Sequence, residues 1–439
     1  MSSTFARDAA PAPAGGGLLP WAPELTGEAG GDTAAHAPQP PAPPRRRPRA
    51  RPLVGLLLPL RLAWRQLRAE RARLGFAIAG VMFACVLVFM QLGFRSALFD
   101  SATALPQAMR GELFLMHPLT TALFKPEPIP RVRAYQTLAL EEVAQAVPIY
   151  MTQAMWRNPE NGTRRAVQLV GFDTEAGAVS FPGLAALVPA LKRPDTVAFD
   201  DRSRPEFGPV AAILAREGPF KAQIGNREVE VVGTVSLGAS FGADGNAVMS
   251  ETNFRRLVKE RLASNTDLVA LRLREGADPL AVQARLRRLL PPDETVLTHA
   301  ELVRWERNYW EETTPIGFIF AFGSLMGLIV GMVIVYQILF ADIAGHLSEY
   351  ATLKAMGYSN WYLRRVVMGE ALVLAALGFV PGILASAVLY DVVAEATFLP
   401  LGMDLDRGLL VFGLIFGMCA SAGLLAMRKL GDANPADMF

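Results

Sequence analysis

The sequence is poor in the residue types that most often carry chemistry. Among its 439 residues there are only two cysteines, Cys85 and Cys419, and both lie in long apolar segments. We expect them to be small packing residues, so an extramembrane domain must be held together by its own core. The four histidines are His36, His117, His299 and His346. They are far apart and have no second ligand at metal-site spacing, so the sequence predicts no metal site.

Nucleotide-binding motifs are also missing. The dipeptide Gly-Lys does not occur, which excludes a G-x-x-x-x-G-K-[ST] phosphate loop in this chain. The acidic pairs Glu141/Glu142 and Glu311/Glu312 are adjacent, and adjacent residues on a helix point about 100° apart. We therefore predict solvated acidic faces, no catalytic carboxylate pair and no cofactor bound by this chain.

One catalytic pattern matches by its letters. Residues 238–242 read G-A-S-F-G, the form of a nucleophile elbow around Ser240. An elbow requires a helix directly after the serine, and the following A-D-G-N, with Gly245 and Asn246, opposes a helix start. Nothing in the spacing shows that His299 and Asp267 would meet this serine. We interpret the segment as a glycine-rich turn between strands and predict that the chain is not an enzyme.

Four long apolar segments dominate the sequence. They span residues 74–94, 315–340, 366–390 and 408–427. Each is long enough to cross a hydrocarbon layer of roughly 30 Å, which takes about 20 helical residues. The pattern predicts an integral membrane protein with four transmembrane α-helices, a large insertion at residues 95–314 and a short loop at 391–407.

The distribution of charge predicts the orientation in the membrane. Five arginines precede the first segment: Arg61, Arg65, Arg68, Arg71 and Arg73. Arg428 and Lys429 follow the last segment, and the loop 341–365 is also basic, whereas the loop 391–407 is acidic. The positive-inside rule places both termini and the loop 341–365 in the cytoplasm, and the insertion outside.

The two ends of the chain lie outside the apolar segments. Residues 1–50 are rich in Ala, Pro and Gly, which predicts a disordered cytoplasmic tail. Residues 52–73 contain apolar positions at helical spacing among arginines, which predicts an amphipathic helix in the headgroup layer. Residues 428–439 are expected to be a cytoplasmic C-terminus.

The insertion shows the patterns of a mixed α/β periplasmic domain. Alternation predicts strands at 166–170, 228–235 and 268–273, and helical spacing predicts helices at 138–146 and 279–290. Residues 98–109 and 300–312 are expected to continue the first two spans outward as unbroken helices. Such a helical stalk would tie the domain to the membrane and transmit force.

Glu370 is the one acidic residue within an apolar segment. An ionisable side chain at membrane depth is a functional candidate. It lies five residues into its segment, close to Arg365, so a structural or snorkelling role and a role in gating or substrate passage both remain open.

The cytoplasmic loop 341–365 contains a short amphipathic pattern. From its start to Ala355 it has no proline, and Gly357 is placed to end a helix. A short helix held between two spans can insert into a groove on a partner protein. An ordinary connector is the alternative.

Several motifs in this order resemble one family of membrane proteins. They are the second apolar segment followed by H-L-S-E-Y-A-T-L-K-A-M-G-Y-S-N-W-Y-L, G-T-V-S-L-G-A-S-F-G from Gly233, L-G-F-V-P-G in the third segment, and the terminal A-N-P-A-D-M-F. Over residues 60–439 the chain is similar to DevC-type ABC transporter permeases, within the MacB and FtsX-like superfamily. The N-terminal tail lies outside the resemblance.

The resemblance implies a homodimeric permease that works with two copies of a separate ABC ATPase, which holds ATP and magnesium. The implied ATPase-coupling helix comprises Leu347, Glu349, Tyr350, Ala351, Thr352, Leu353, Lys354, Ala355, Met356 and Gly357. The family acts by mechanotransmission in the inner membrane, with a periplasmic membrane-fusion adaptor and an outer-membrane duct, to export lipids or other amphiphiles. No nucleic acid partner is implied.

Two other functions share this architecture. One is an FtsX-like regulator of a periplasmic cell-wall hydrolase, and the other is a lipoprotein-release permease. The size of the insertion favours the exporter by analogy. The sequence does not identify the substrate or the residues that would contact an adaptor.

Overall fold

The computed structural model describes residues 71–259, 263–349, 352 and 356–431. The described part begins with helix α1, Arg71–Ala108. The first half of the inserted domain comprises β1 Leu113–Met116, β2 Ile129–Pro130, α2 Val132–Thr137, β3 Val143–Arg157, β4 Arg164–Phe172, α3 Leu184–Leu191, β5 Thr196–Asp200 and α4 Val210–Glu217. The second half comprises β6 Phe220–Ile224, β7 Arg227–Val235, β8 Asn246–Ser250, α5 Glu251–Leu257, β9 Asn265–Thr266, β10 Leu268–Leu273, α6 Pro279–Leu289, β11 Thr295–Thr298 and α7 His299–Asn308. A π-helical turn, Tyr309–Thr313, leads to α8 Pro315–Gly345, α9 Asn360–Thr397 and α10 Leu405–Gly431.

Four of these helices, α1, α8, α9 and α10, are long and apolar enough to cross a membrane. This confirms the prediction of four membrane helices with a mixed α/β domain between the first and the second. Close packing joins α1 to α9: a Cβ atom at Gly378 would lie 2.5 Å from Val81, and one at Gly382 would lie 2.8 Å from Cys85. Cys85 and Cys419 are both buried free thiols, and both pack in the membrane core.

The membrane helices extend beyond the apolar segments that predict them. Helix α9 begins at Asn360, six residues before the third segment, because the Ser359 hydroxyl accepts a hydrogen bond from the Tyr362 amide and caps the helix. Glu370 therefore lies ten residues after the start of its helix, although it lies near the beginning of the apolar segment.

The inserted domain is built on one mixed sheet. Its strand order is β11-β1-β10-β3-β4-β8-β5-β7-β6, and β6 also pairs with the far end of β3. Trp156 of β3 lies opposite Ile224 of β6 in this pairing, which closes six strands into a ring. The ring encloses an aromatic core in which Trp156 lies 4.5 Å from Phe199 and Phe199 lies 5.8 Å from Phe207, centroid to centroid.

The strand predictions agree with the structure. Strands β4, β7 and β10 contain the predicted strands, and α6 matches the predicted helix 279–290 to within one residue. The side chain of Asp278 accepts from the Leu280 amide and caps α6, and a capping box between Thr298 and Glu301 starts α7.

The predicted helix at 138–146 is wrong. Residues 138–142 form a turn, and β3 begins at Val143. The local sequence favours a helix, but β3 pairs with β10 on one side and with β4 on the other. Pairing on both edges overrides a helix preference that is worth only a few tenths of a kcal/mol per residue.

Candidate functional site

The loop between α8 and α9 carries the predicted coupling segment. The Thr352 hydroxyl donates to the Ser348 carbonyl at 2.8 Å, and the Met356 amide donates to the Thr352 carbonyl at 3.0 Å, as in a helical turn. Gly357 follows with φ +91°, a conformation in which glycine is favoured at a helix end. Leu347 packs against the membrane core and Glu349 is exposed. Five predicted coupling residues lie outside the described residues: Tyr350, Ala351, Leu353, Lys354 and Ala355.

An exposed apolar surface adjoins this segment. Met356 is 63% exposed, Trp361 is 57% exposed, and Tyr358 between them is also exposed. The Arg365 guanidinium carbon lies 3.3 Å from the centre of the Trp361 ring, a cation–π contact. Sequence reasoning missed Tyr358 and Trp361 as site residues, although two large aromatic side chains within four residues of a helix-ending glycine were a visible signal.

Two limbs connect the membrane helices to the inserted domain, and they touch at both ends. We call α1 the first limb, and α7 with the π-helical turn the second limb. Near the membrane, Arg95 of the first limb pairs with Glu311 of the second. Near the domain, His299 Nε2 lies 3.0 Å from the Pro106 carbonyl oxygen. The limbs are therefore held together by non-covalent contacts near both ends.

The second limb is not continuous with α8, which corrects the prediction of an unbroken helix. Thr314 has an extended backbone, φ −100° and ψ 154°, between the π-helical turn and Pro315. A residue before proline is pushed out of the helical region by the proline ring, which explains the break. Gly317 then packs directly beneath the turn, where a Cβ atom would lie 2.2 Å from the Glu311 carbonyl oxygen. We call residues 309–317 the joint.

Glu306 anchors the second limb to the domain. Its carboxylate is buried and accepts from the Leu123 amide at 2.9 Å and from the Trp310 indole at 3.0 Å. Burial raises the pKa of Glu306 to about 7, although the two hydrogen bonds oppose the shift. The Trp310 ring also packs against Phe124 and Phe241 at 5.8 and 6.1 Å. Sequence reasoning missed Glu306, because a lone glutamate in a helix gives no sign that it will be buried.

The glycine-rich segment around Ser240 is a loop between β7 and β8. Buried Asp200 holds it by accepting from the amides of Leu237 and Gly238 at 3.0 and 2.9 Å and from the Asn246 side chain at 2.7 Å. The Ser240 hydroxyl accepts from the Ala243 amide at 3.2 Å. A strand follows the loop where a nucleophile elbow requires a helix.

Asp267 and His299, the other residues considered for a nucleophile elbow, have other hydrogen-bond partners. Asp267 accepts from the Met151 amide at 2.7 Å, and His299 contacts the Pro106 carbonyl. Among the described residues, no group of three His, Cys, Asp or Glu side chains is placed to hold a metal ion.

Glu370 lies inside the bundle of membrane helices. Its side chain is fully buried, and within the described part of the chain neither carboxyl oxygen has a hydrogen-bond partner. Asp342 of α8 is its acidic neighbour. The snorkelling role considered from the sequence does not fit this packing, because a snorkelling side chain must reach the headgroups.

Comparisons with known proteins match both halves of the chain. The family model of the MacB-like periplasmic core domain matches residues 74–289, and that of the FtsX-like permease C-terminal region matches residues 321–435. Among solved structures, the periplasmic region of MacB from Actinobacillus actinomycetemcomitans matches at 10% identity and TM-score 0.32, covering 46% of this chain and 93% of that one.

A second solved structure is the extracellular domain of the noncanonic ABC-type transporter YknZ from Gram-positive bacteria. It matches at 12% identity and TM-score 0.30, covering 43% of this chain and 99% of that one. The comparison with curated protein sequences gave no match. The two family models, one on the inserted domain and one on the last three membrane helices, lead to one conclusion: this chain is a multi-pass ABC transporter permease of the MacB/FtsX-like family.

Proposed function

We propose that this chain is the transmembrane permease subunit of an ATP-driven exporter of the DevC type. It lies in the bacterial inner membrane as a homodimer with both termini in the cytoplasm. A separate ABC ATPase, in two copies, binds and hydrolyses ATP with magnesium. The permease passes the resulting movement to a periplasmic adaptor and an outer-membrane duct, which export a lipid or another amphiphile.

One observation carries this proposal. Helix α8 bears the coupling segment at its cytoplasmic end and the joint at its other end. A displacement of the coupling segment therefore reaches the second limb through one helix of 31 residues. The cross-links from the second limb to α1 then pass the movement to the inserted domain, without a channel through the membrane bundle being required.

The exposed surface beside the coupling segment fits a docking role. Met356, Tyr358 and Trp361 together present apolar and aromatic side chains, the kinds that dominate protein interfaces. Glu349 adds an exposed acidic group next to them. We expect this surface and the coupling helix to enter one groove on the ATPase.

Affinity purification of the tagged chain from membranes tests the proposal. Glu349→Arg and Leu353→Asp place a wrong charge in the coupling helix, and each is expected to cost about 2 kcal/mol of ATPase binding, or roughly thirtyfold in affinity. The control is Glu395→Arg, the same change at an exposed position of α9 near its opposite end. Mass spectrometry of the co-purified proteins is the measurement.

The exporter role predicts an ATPase with a phosphate loop and a membrane-fusion adaptor in the wild-type sample. The ATPase should be lost from both coupling variants and retained by Glu395→Arg. Normal ATPase recovery with both variants would contradict the coupling assignment. An ATPase with a cell-wall hydrolase and no adaptor would instead identify an FtsX-like regulator, and two unlike permeases would identify a lipoprotein-release complex.

A further inference from the structure

The membrane bundle contains a carboxyl group in an unusual setting. Glu370 is 0% exposed, and neither of its oxygens has a hydrogen-bond partner among the residues that the structure describes. Its neighbours along α9, Val367, Ala371 and Leu374, belong to the apolar core of the bundle. The carboxyl group therefore lies out of reach of bulk solvent and of the described hydrogen-bond donors, in apolar surroundings.

This setting decides between the two protonation states. A buried ionised carboxylate without a partner is much more costly than a buried neutral carboxylic acid, because the charge loses its hydration and gains nothing in return. The neutral acid leaves only one O–H donor and its oxygen acceptors unpaired, which is a far smaller penalty. The packing seen in the structure is thus compatible with the protonated form.

Among the described side chains, the charged neighbour of Glu370 on the adjacent helices is another acid. On α8, Asp342 is acidic and has contacts of its own, and His346 Nδ1 lies 3.7 Å from the Asp342 carboxylate. On α1, Gly80 contacts Ile334 and Ala84 contacts Gly331. These contacts place the first turn of α1, which includes Arg71 and Arg73, at the level of Asp342 on α8.

On α10, Gly423 lies opposite Ala371, and Arg428 is exposed beyond it toward the cytoplasmic end. A second acidic group beside Glu370 adds to the cost of ionising it, since two carboxylates at close range repel each other.

We propose that Glu370 is a proton-binding site of the membrane bundle. The proton is held while the helices pack as in the structure, and it leaves when α8 and α9 separate enough to admit water. The O–H bond then breaks, the proton passes to a water molecule, and the carboxylate remains hydrated. Repacking of the helices requires that a proton return. This inference rests on the bundle alone and does not depend on what the permease exports.

Infrared spectroscopy of the purified full-length chain is the decisive test. A carboxylic acid in an apolar setting has a C=O stretching band that a carboxylate lacks. We expect this band at neutral pH in the wild type and its loss in Glu370→Gln. If the difference spectrum between the two proteins lacks the band, the proposal is overturned.

Two further measurements test the site independently. Glu370→Gln is a neutral isostere of the protonated acid, so its melting temperature should equal that of the wild type at neutral pH. Failure of this variant to fold would overturn the proposal, because it would show that the negative charge is needed.

A water-soluble carbodiimide should modify exposed Glu395 but not Glu370 in the resting protein. Modification of Glu370 by this reagent would also contradict the proposal, because it would place water at the site.

Discussion

The two limbs that join the membrane to the inserted domain have the same task but different construction. The first is a single helix of 38 residues, Arg71–Ala108, about 57 Å long, with its only proline in the last turn. The second consists of α7 and the π-helical turn, and the extended residue Thr314 separates it from α8. One limb is a continuous rod, and the other has a joint.

This difference gives the molecule one uninterrupted connection to the domain and one that contains a break in its helix. A continuous helix moves as a rigid body, whereas π-helical turns occur frequently at functional sites in helices. The ion pair between Arg95 and Glu311 crosses from the rod to the joint, and the His299–Pro106 contact crosses near the domain. The two limbs are therefore joined both at the joint and near the domain.

The largest expected effect on stability is the pH dependence caused by Glu306, whose carboxyl group lies on the second limb. Its pKa of about 7 in the folded protein lies above the ordinary value of 4.5. The stabilisation from the protonated form is therefore complete below about pH 4.5 and is lost as the pH rises through 7. Relative to Glu306→Gln, the wild type should lose about 3 kcal/mol of unfolding free energy across this window.

Thermal unfolding of the two proteins in detergent, at several pH values, measures this loss. Glu294 also has a pKa raised to about 7 by burial, but both proteins contain it, so its effect cancels in the comparison. Parallel pH profiles for the two proteins would show that Glu306 does not titrate in this window.

A smaller effect is expected from filling the joint. In Gly317→Ala the new methyl group would meet the Glu311 carbonyl oxygen at 2.2 Å, so the turn must shift. We expect a loss of about 2 kcal/mol, the usual cost of overpacking. The matched control is Gly413→Ala on α10, where a Cβ atom has no neighbour within 4 Å. Equal melting temperatures for the two variants would show that the joint is loosely packed.

The smallest effect on stability is expected from breaking the ion pair between Arg95 of the first limb and Glu311 of the joint. Arg95 and Glu311 are 38% and 30% exposed, so solvent screens their ion pair. A double-mutant cycle with Arg95→Ala and Glu311→Ala should give a coupling energy of at most about 1 kcal/mol. A coupling of several kcal/mol would mean that this pair, and not the packing around Phe99 and Trp310, holds the limbs together.

The sequence predicts some of these features well and misses others for physical reasons. Long apolar runs identify the four membrane helices, because the bilayer sets their length. Apolar patterning finds β7 and β10: β7 has buried residues at alternate positions in its first half, and β10 is buried over its first four residues. The helix expected at 138–146 fails because strand pairing with distant residues decides its conformation. The burial of Glu306 and Glu370 depends on neighbours that are remote in the chain, so no local pattern reveals it.

The break in the second limb was more accessible to sequence reasoning. Pro315 stands at the start of the second apolar segment, and its effect on the preceding Thr314 is a local steric rule. Counting apolar residues alone hides this signal, because hydropathy does not register backbone geometry.

The closed ring of strands β3, β4, β8, β5, β7 and β6 has a consequence for how this domain can diversify. In a closed sheet each strand is bonded to neighbours on both sides, so the ring resists shear and turns as one piece. The tight turn at Gly225, between β6 and β7, projects from the ring where a Cβ atom would meet nothing within 4 Å. Insertions at this turn can therefore change the outer surface of the domain over evolutionary time and leave the pairing of the ring's strands as it is.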